Sequence, residues 1–188
     1  MLQKYLLELL TISMKVLVAD MHTQKQMKKF MGCTAEERFA FYLNLRFGNR
    51  ENVKKFFCKY PVLARILATR ISFQLKNLES FLHALFESKE KIYDVFGVRA
   101  DSIEIISMGA GDRHGKGKSV IIIETKGKKL VFKYKELQIG EAYNEFLKRF
   151  EQYSVSSDFI KIKRIIGKGY TIEEFVDHEE CKRVEEIK

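Results

Sequence analysis

Ten residues near the middle of the chain, Gly109-Ala110-Gly111-Asp112-Arg113-His114-Gly115-Lys116-Gly117-Lys118, combine the residue types that handle phosphate and protons. Glycine lacks a Cβ, so the backbone at Gly111, Gly115 and Gly117 is free to turn sharply and to approach a ligand. Backbone N–H groups in such a turn, and lysine ammoniums beside it, attract phosphate. Asp112 and His114, two residues apart, add a carboxylate and an imidazole that can move protons near neutral pH. Gly117-Lys118-Ser119 leads into the β-branched run Val120-Ile121-Ile122-Ile123 and not into a helix. That excludes a nucleotide-binding P-loop and a dinucleotide fingerprint, both of which open a helix. A second group lies one strand later. Across Lys129 to Lys135, Leu130, Phe132 and Tyr134 alternate with Val131, Lys133 and Lys135, so Lys133 shares a face with Val131. A lysine there can reach a phosphate, and Glu141 and Glu145 are the candidates to pair with it from the helix that follows.

The elements that must position these groups are legible as two regions. Residues 1–98 read as helix. Leu2, Leu6, Leu9, Leu10, Ile12, Met14, Leu17 and Val18 give residues 2–21 a wide apolar face. Thr34 with Glu37 three residues on is a capping box that opens a helix to about Arg46, closed by Gly48. A short helix covers about 51–59. Pro61 then suits the first turn of a long helix, whose apolar stripe runs from Leu63 to Phe86 and which breaks near 88–90. Residues 99–188 change character. Ile103–Ile106 predicts a strand, and the glycine-rich segment a loop. Ser119–Thr125 and Lys129–Lys135 predict a hairpin, Glu141 to about Tyr153 a helix, and Phe159–Ile166 with Tyr170–Val176 a second hairpin. In the 141–153 helix, Ala142, Tyr143, Phe146, Leu147 and Phe150 are expected inward. The fold class is therefore α+β, a helical region followed by an antiparallel sheet with one helix.

A formal net charge of +9 sits almost wholly in residues 1–100, which carry +8. The basic residues are dispersed, and no aromatic–basic motif of an RNA-binding sheet occurs, so nucleic acid is not expected as a partner. Cys33, Cys58 and Cys181 are far apart and odd in number, which argues against a disulfide framework or a zinc site and for a reducing, cytoplasmic compartment. His22 and His83 lie in helical patterns and read as ordinary helix residues. No apolar run has the roughly 20 residues that a membrane span needs.

The order glycine-rich loop, strand, strand with inward lysine, helix is that of a protein-kinase N-lobe. The actual residues carry a narrower likeness. Gly111-Asp112-Arg113-His114-Gly115-Lys116-Gly117-Lys118, then Lys129-Leu130-Val131-Phe132-Lys133, then Ala142-Tyr143-Asn144 resemble the dehydratase domain of class II lanthipeptide synthetases. Tyr60-Pro61-Val62-Leu63-Ala64-Arg65 and Glu174-Phe175-Val176-Asp177-His178, with Cys181, extend the resemblance from about residue 30 to residue 188. It implies a kinase-like fold that uses ATP and Mg²⁺ to phosphorylate serines and threonines of a precursor peptide and then eliminates the phosphate. Asp112 and His114 would be catalytic, and Lys133, Gly111, Gly115, Gly117 and Glu141 would bind the cofactor. The partners implied are the leader and core of the precursor peptide, and an export and maturation complex at the inner membrane face.

Tyr134-Lys135 replaces the Pro-Arg that follows the lysine in that family. No Asp-x-His-x-x-Asn loop and no cyclase zinc ligands occur. The expectation is therefore the N-terminal part of a longer enzyme, inactive on its own. The competing expectation is a stand-alone basic module that binds nucleotide or nucleic acid without catalysis.

Overall fold

A computed structural model describes residues 2–27, 31–153 and 159–177. His178 and Cys181 lie outside them. The chain divides into two compact units, residues 1–75 and 76–188, with the division inside one long helix.

The first unit is helical. It contains α1 (Leu2–Gln26), α2 (Ala35–Phe47), α3 (Arg50–Lys59) and the first half of α4 (Pro61–Glu87). The capping box forms as the spacing predicts. Glu37 N donates to Thr34 Oγ1 at 3.1 Å and Thr34 N to Glu37 Oε2 at 3.2 Å, satisfying amides that the helix leaves orphaned. Asn49 caps α3 through Asn52 N at 2.9 Å. Tyr42, Phe56 and Leu63 are buried, and Phe56 packs edge-on against Phe47 at 5.0 Å. The apolar face of α1 is only partly used: Leu9, Ile12 and Leu17 are half-buried, whereas Leu6, Leu10, Met14 and Val18 are exposed.

A buried carboxylate is the polar centre of this unit. Asp20 of α1 is fully enclosed and accepts hydrogen bonds from Arg46 Nε at 2.6 Å, Arg46 Nη2 at 3.0 Å, Lys59 Nζ at 2.8 Å and Tyr60 OH at 2.7 Å. Tyr42 OH adds a longer bond at 3.2 Å. One side chain thus ties α1 to α2, to α3 and to the residue that precedes α4.

The second unit holds the rest of α4, α5 (Lys89–Phe96), β1 (Ile103–His114), β2 (Lys118–Thr125), β3 (Lys128–Lys133), α6 (Gln138–Glu151), β4 (Arg164–Gly167) and β5 (Tyr170–Glu174). The five strands form one antiparallel sheet in the order β1-β2-β3-β5-β4. Period-2 alternation sorts its two faces. Ile121, Ile123, Leu130, Phe132, Ile165 and Ile172 point to one face, where Phe81, Ala84 and Leu85 of α4 and Ile92 and Phe96 of α5 cover them. Phe81 meets Phe132 edge-on at 5.0 Å. The opposite face carries Val131, Lys133, Thr171 and Glu173. The fold class is α+β, as the sequence predicts.

Three local expectations are corrected. The glycine-rich segment is strand as far as His114, with only Gly115–Gly117 as the turn. Glycines that tolerate positive φ allow the ladder to continue through irregular register. The segment 159–163 is not strand, and β4 begins only at Arg164. Helix α6 buries a different side from the one its aromatic residues suggest: Leu147 is buried, but Ala142, Tyr143, Phe146 and Phe150 are exposed. It docks instead through Gly140, over which the Arg164 guanidinium lies, and through Asn144, whose Nδ2 donates to Ile162 O at 2.9 Å.

Candidate functional site

The β1–β2 hairpin sets the geometry. Ala110 pairs with Val120 and His114 with Lys118, and the register shifts on both sides of Ala110. Bulges of this kind re-aim side chains. Gly111 has φ +68, and no atom lies within 4 Å of the place a Cβ would occupy. Backbone conformation, not crowding, requires glycine there.

The hairpin tip is fastened down. Asn77 of α4, buried, donates from Nδ2 to Lys116 O at 3.2 Å. Tyr134, just after β3, donates its hydroxyl to Asn77 O at 2.6 Å. Burial pushes the Tyr134 phenol up to about 12, so it remains a donor. Asn77→Ala is expected to release the tip. Hydrogen exchange of residues 114–118 should accelerate, with a loss of about 1 kcal/mol of stability for one side-chain hydrogen bond. Unchanged protection of the tip would refute the latch.

Between this hairpin and the end of β3 lies a cleft of about 270 Å³. Asp112, His114, Lys118, Lys133 and Lys135 line it, with Val120 and Leu137 as apolar wall. Two of the groups singled out in the hairpin and the strand lysine therefore meet in one place. Gly111, Gly115 and Gly117 shape the hairpin but do not line the cleft. Three ammoniums and an imidazole against one carboxylate make it a cation-rich concavity, which concentrates anions. Lys118 Nζ lies 5.4 Å from the centre of the Tyr134 ring, a cation–π distance that orients it. A larger hollow, about 480 Å³, sits at the other end of β3. Its lining mixes Glu124, Glu174 and Asp177 with Lys128, Lys129 and Lys163, and it contains none of the sequence-predicted site residues.

Lys133 is about one-third exposed, and its ammonium is ion-paired with Glu173 Oε2 of β5. Neither helix acid takes that place. Glu141 Oε1 lies 3.6 Å from Arg164 Nη1, and Glu145 pairs with Lys148 on its own helix at 2.6 Å. Glu173 was missed in the sequence because β3 pairs with β5, not with the strand next in order. The signal available was a pair of acids, Glu173 and Glu174, in a strand whose Tyr170 and Ile172 mark the apolar face. Glu173 Oε1 also accepts from Arg164 Nε at 3.0 Å, and both side chains are about nine-tenths buried or more. Thr171, fully buried, ties down two residues that line the cleft: its Oγ1 donates to Lys135 O at 2.7 Å and accepts from Leu137 N at 3.0 Å.

Among the described residues no group of three or more His, Cys, Asp and Glu converges as metal ligands, and no helix is long and apolar enough to cross a membrane.

The chain is similar to the lacticin 481/lactococcin biosynthesis protein LcnDR2 of Lactococcus lactis subsp. lactis, 25% identical over 182 residues. Those residues are 93% of this chain and 20% of that protein, so the chain spans about one fifth of that relative's length. The likeness runs over the stretch in which the sequence resembles class II lanthipeptide synthetases. Residues 60–188, more than half of the chain, match the family described as Domain of unknown function (DUF4135), and the chain belongs to that family.

Proposed function

We propose that this chain is the nucleotide-binding lobe of a lanthipeptide-modifying enzyme, one that dehydrates serine and threonine in a precursor peptide by phosphorylation followed by elimination. One observation carries the reading. The structure gathers Asp112, His114 and Lys133, from a hairpin and a neighbouring strand, into one cation-rich cleft.

The donor set suits a polyphosphate, since three lysines and an imidazole supply charge-assisted hydrogen bonds. Mg²⁺ binds through phosphate oxygens, water and one or two carboxylates, and Asp112 is the carboxylate that the cleft offers. When bound, ATP with Mg²⁺ supplies the phosphoryl group. The chain's own residues orient and discharge it. Lys133 would hold the phosphate chain, and Lys118 and Lys135 would stabilise its charge. For the elimination, a base takes the α-proton of the phosphorylated residue. The C–H electrons become the Cα=Cβ bond, and the Cβ–O electrons leave with the phosphate. His114 would be that base, Asp112 would orient the imidazole or hold the metal, and the lysines would receive the departing anion.

The test is nucleotide protection of the chain. A non-hydrolysable ATP analogue with Mg²⁺ should raise the melting temperature, and Lys133→Ala should remove the rise. No rise in the unmutated chain at saturating analogue, or an equal rise in Lys133→Ala, would overturn the reading.

A further inference from the structure

Kinase-like lobes hold their phosphate-binding lysine with an acid from the following helix. Here that helix offers Glu141 and Glu145, and both are engaged elsewhere. The acid that meets Lys133 comes from within the sheet. Val131 lies directly opposite Glu173, and Lys133 opposite Thr171, so Lys133 reaches Glu173 along the diagonal of the β3–β5 pair. Arg164 lies directly opposite Glu173 on the other side. The carboxylate is thus clamped between two cations in three adjacent strands.

We propose that Glu173 is a positioning residue that holds the Lys133 ammonium at the phosphate cleft, and that Arg164 holds Glu173. The inference rests on the nucleotide-binding reading above. Three observations carry it. Glu173 is almost fully buried, so it cannot itself contact a ligand in the cleft, whereas Lys133 is about one-third exposed and lines it. A buried carboxylate with one cation would cancel the charge that phosphate needs. With Arg164 as a second partner, the Glu173 charge is shared between two cations, so it orients the lysine without being spent on it alone. Finally, the Glu173–Arg164 pair is buried on both sides, and such a pair contributes little stability over apolar packing, so a role in fixing the lysine explains the cluster better than stability does. A lysine held in place before the ligand arrives loses less freedom on binding. Arg164 Nη1, buried and without a hydrogen bond among the described residues, faces Glu141 at 3.6 Å, which links the clamp to α6.

The experiment is a calorimetric titration of the full chain with adenylyl imidodiphosphate and Mg²⁺. Four proteins are compared: unmutated, Glu173→Gln, Lys133→Ala and the double variant. Glu173→Gln should weaken binding about tenfold, and should weaken it no further once Lys133 is absent, because its effect runs through the lysine. Glu173→Gln leaves the buried Arg164 with only the longer contact to Glu141, so a chain that fails to fold is replaced by Glu173→Gln with Arg164→Met, which removes both buried charges and should show the same loss. Binding as tight as in the unmutated chain, or an equal loss with and without Lys133, overturns the positioning role. If Lys133→Ala loses binding while Glu173→Gln keeps it, this inference alone falls. If the unmutated chain does not bind, or Lys133→Ala binds normally, the nucleotide-binding reading falls with it.

Discussion

Asp20→Ala is expected to cost the helical unit about 3–5 kcal/mol, the range for breaking a buried ion pair by removing one partner. Domains are stable by only about 5–15 kcal/mol, so the unit would be largely unfolded or close to it. The reason lies in what the change strands. Arg46 and Lys59 would keep their charges with no carboxylate at 2.6 to 3.0 Å, the Tyr60 hydroxyl would lose its bond at 2.7 Å, and Tyr42 would keep only the longer bond to Leu17 O. Asp20→Asn keeps the shape and some of the hydrogen bonds, and should cost less. Urea unfolding followed by far-ultraviolet circular dichroism would measure both. A loss below about 1 kcal/mol for Asp20→Ala, the size of an exposed pair, would refute the hub.

The same residue makes stability depend on acid. Burial alone raises the Asp20 carboxyl, but the hydrogen bonds from Arg46, Lys59 and Tyr60 together outweigh it and hold the group at about 2, against an ordinary 3.8. The folded state therefore binds this proton less readily than the unfolded chain does. The stabilisation is complete above about pH 4 and drains away as pH falls toward 2, a change of about 2 kcal/mol. Tyr42 moves the other way: its burial and the neighbouring carboxylate push its phenol up, so it stays a donor throughout. In Asp20→Asn this part of the acid limb should disappear.

What the sequence made legible was local. The capping box at Thr34, the alternation that puts Lys133 beside Val131, and the Gly-Asp-x-His run all depend on neighbours a few residues apart. The grouping of Asp112, His114 and Lys133 followed from chain order plus one hairpin. The buried charges did not follow, because their partners are remote: Asp20 meets Arg46, Lys59 and Tyr60, and Lys133 meets Glu173 across a strand pairing that skips β4. Helix α6 shows the limit of periodicity. Its strongest apolar stripe, Tyr143, Phe146 and Phe150, is exposed, with Tyr143 and Phe146 stacked at 6.3 Å. The docked side is set by Gly140, where a Cβ would lie 2.5 Å from the Arg164 guanidinium, and by the Asn144 hydrogen bond. Close approach and hydrogen bonding to a strand edge chose the face, and neither has a hydropathy signature.

On the proposed reading, His114→Ala in an enzyme that contains this chain should slow dehydration of a precursor peptide by about 10²-fold or more, the usual contribution of a positioned general acid or base. The two half-reactions predict different products. Phosphoryl transfer leans on charge, which Lys118, Lys133 and Lys135 still supply in the variant. Elimination needs a group that takes the proton as the C–H bond breaks, the role proposed for His114. Phosphorylated peptide should therefore accumulate in His114→Ala. In Lys133→Ala it should not, since the phosphate donor is no longer held. Mass spectrometry of the peptide after incubation with ATP and Mg²⁺ separates the cases: unmodified, phosphorylated or dehydrated. Asp112→Asn tests the partner role. If Asp112 orients the imidazole, the variant should also leave phosphorylated peptide, whereas a carboxylate needed for the metal would leave the peptide unmodified. Full dehydration by His114→Ala would remove this histidine from the chemistry and leave the cleft a nucleotide site only.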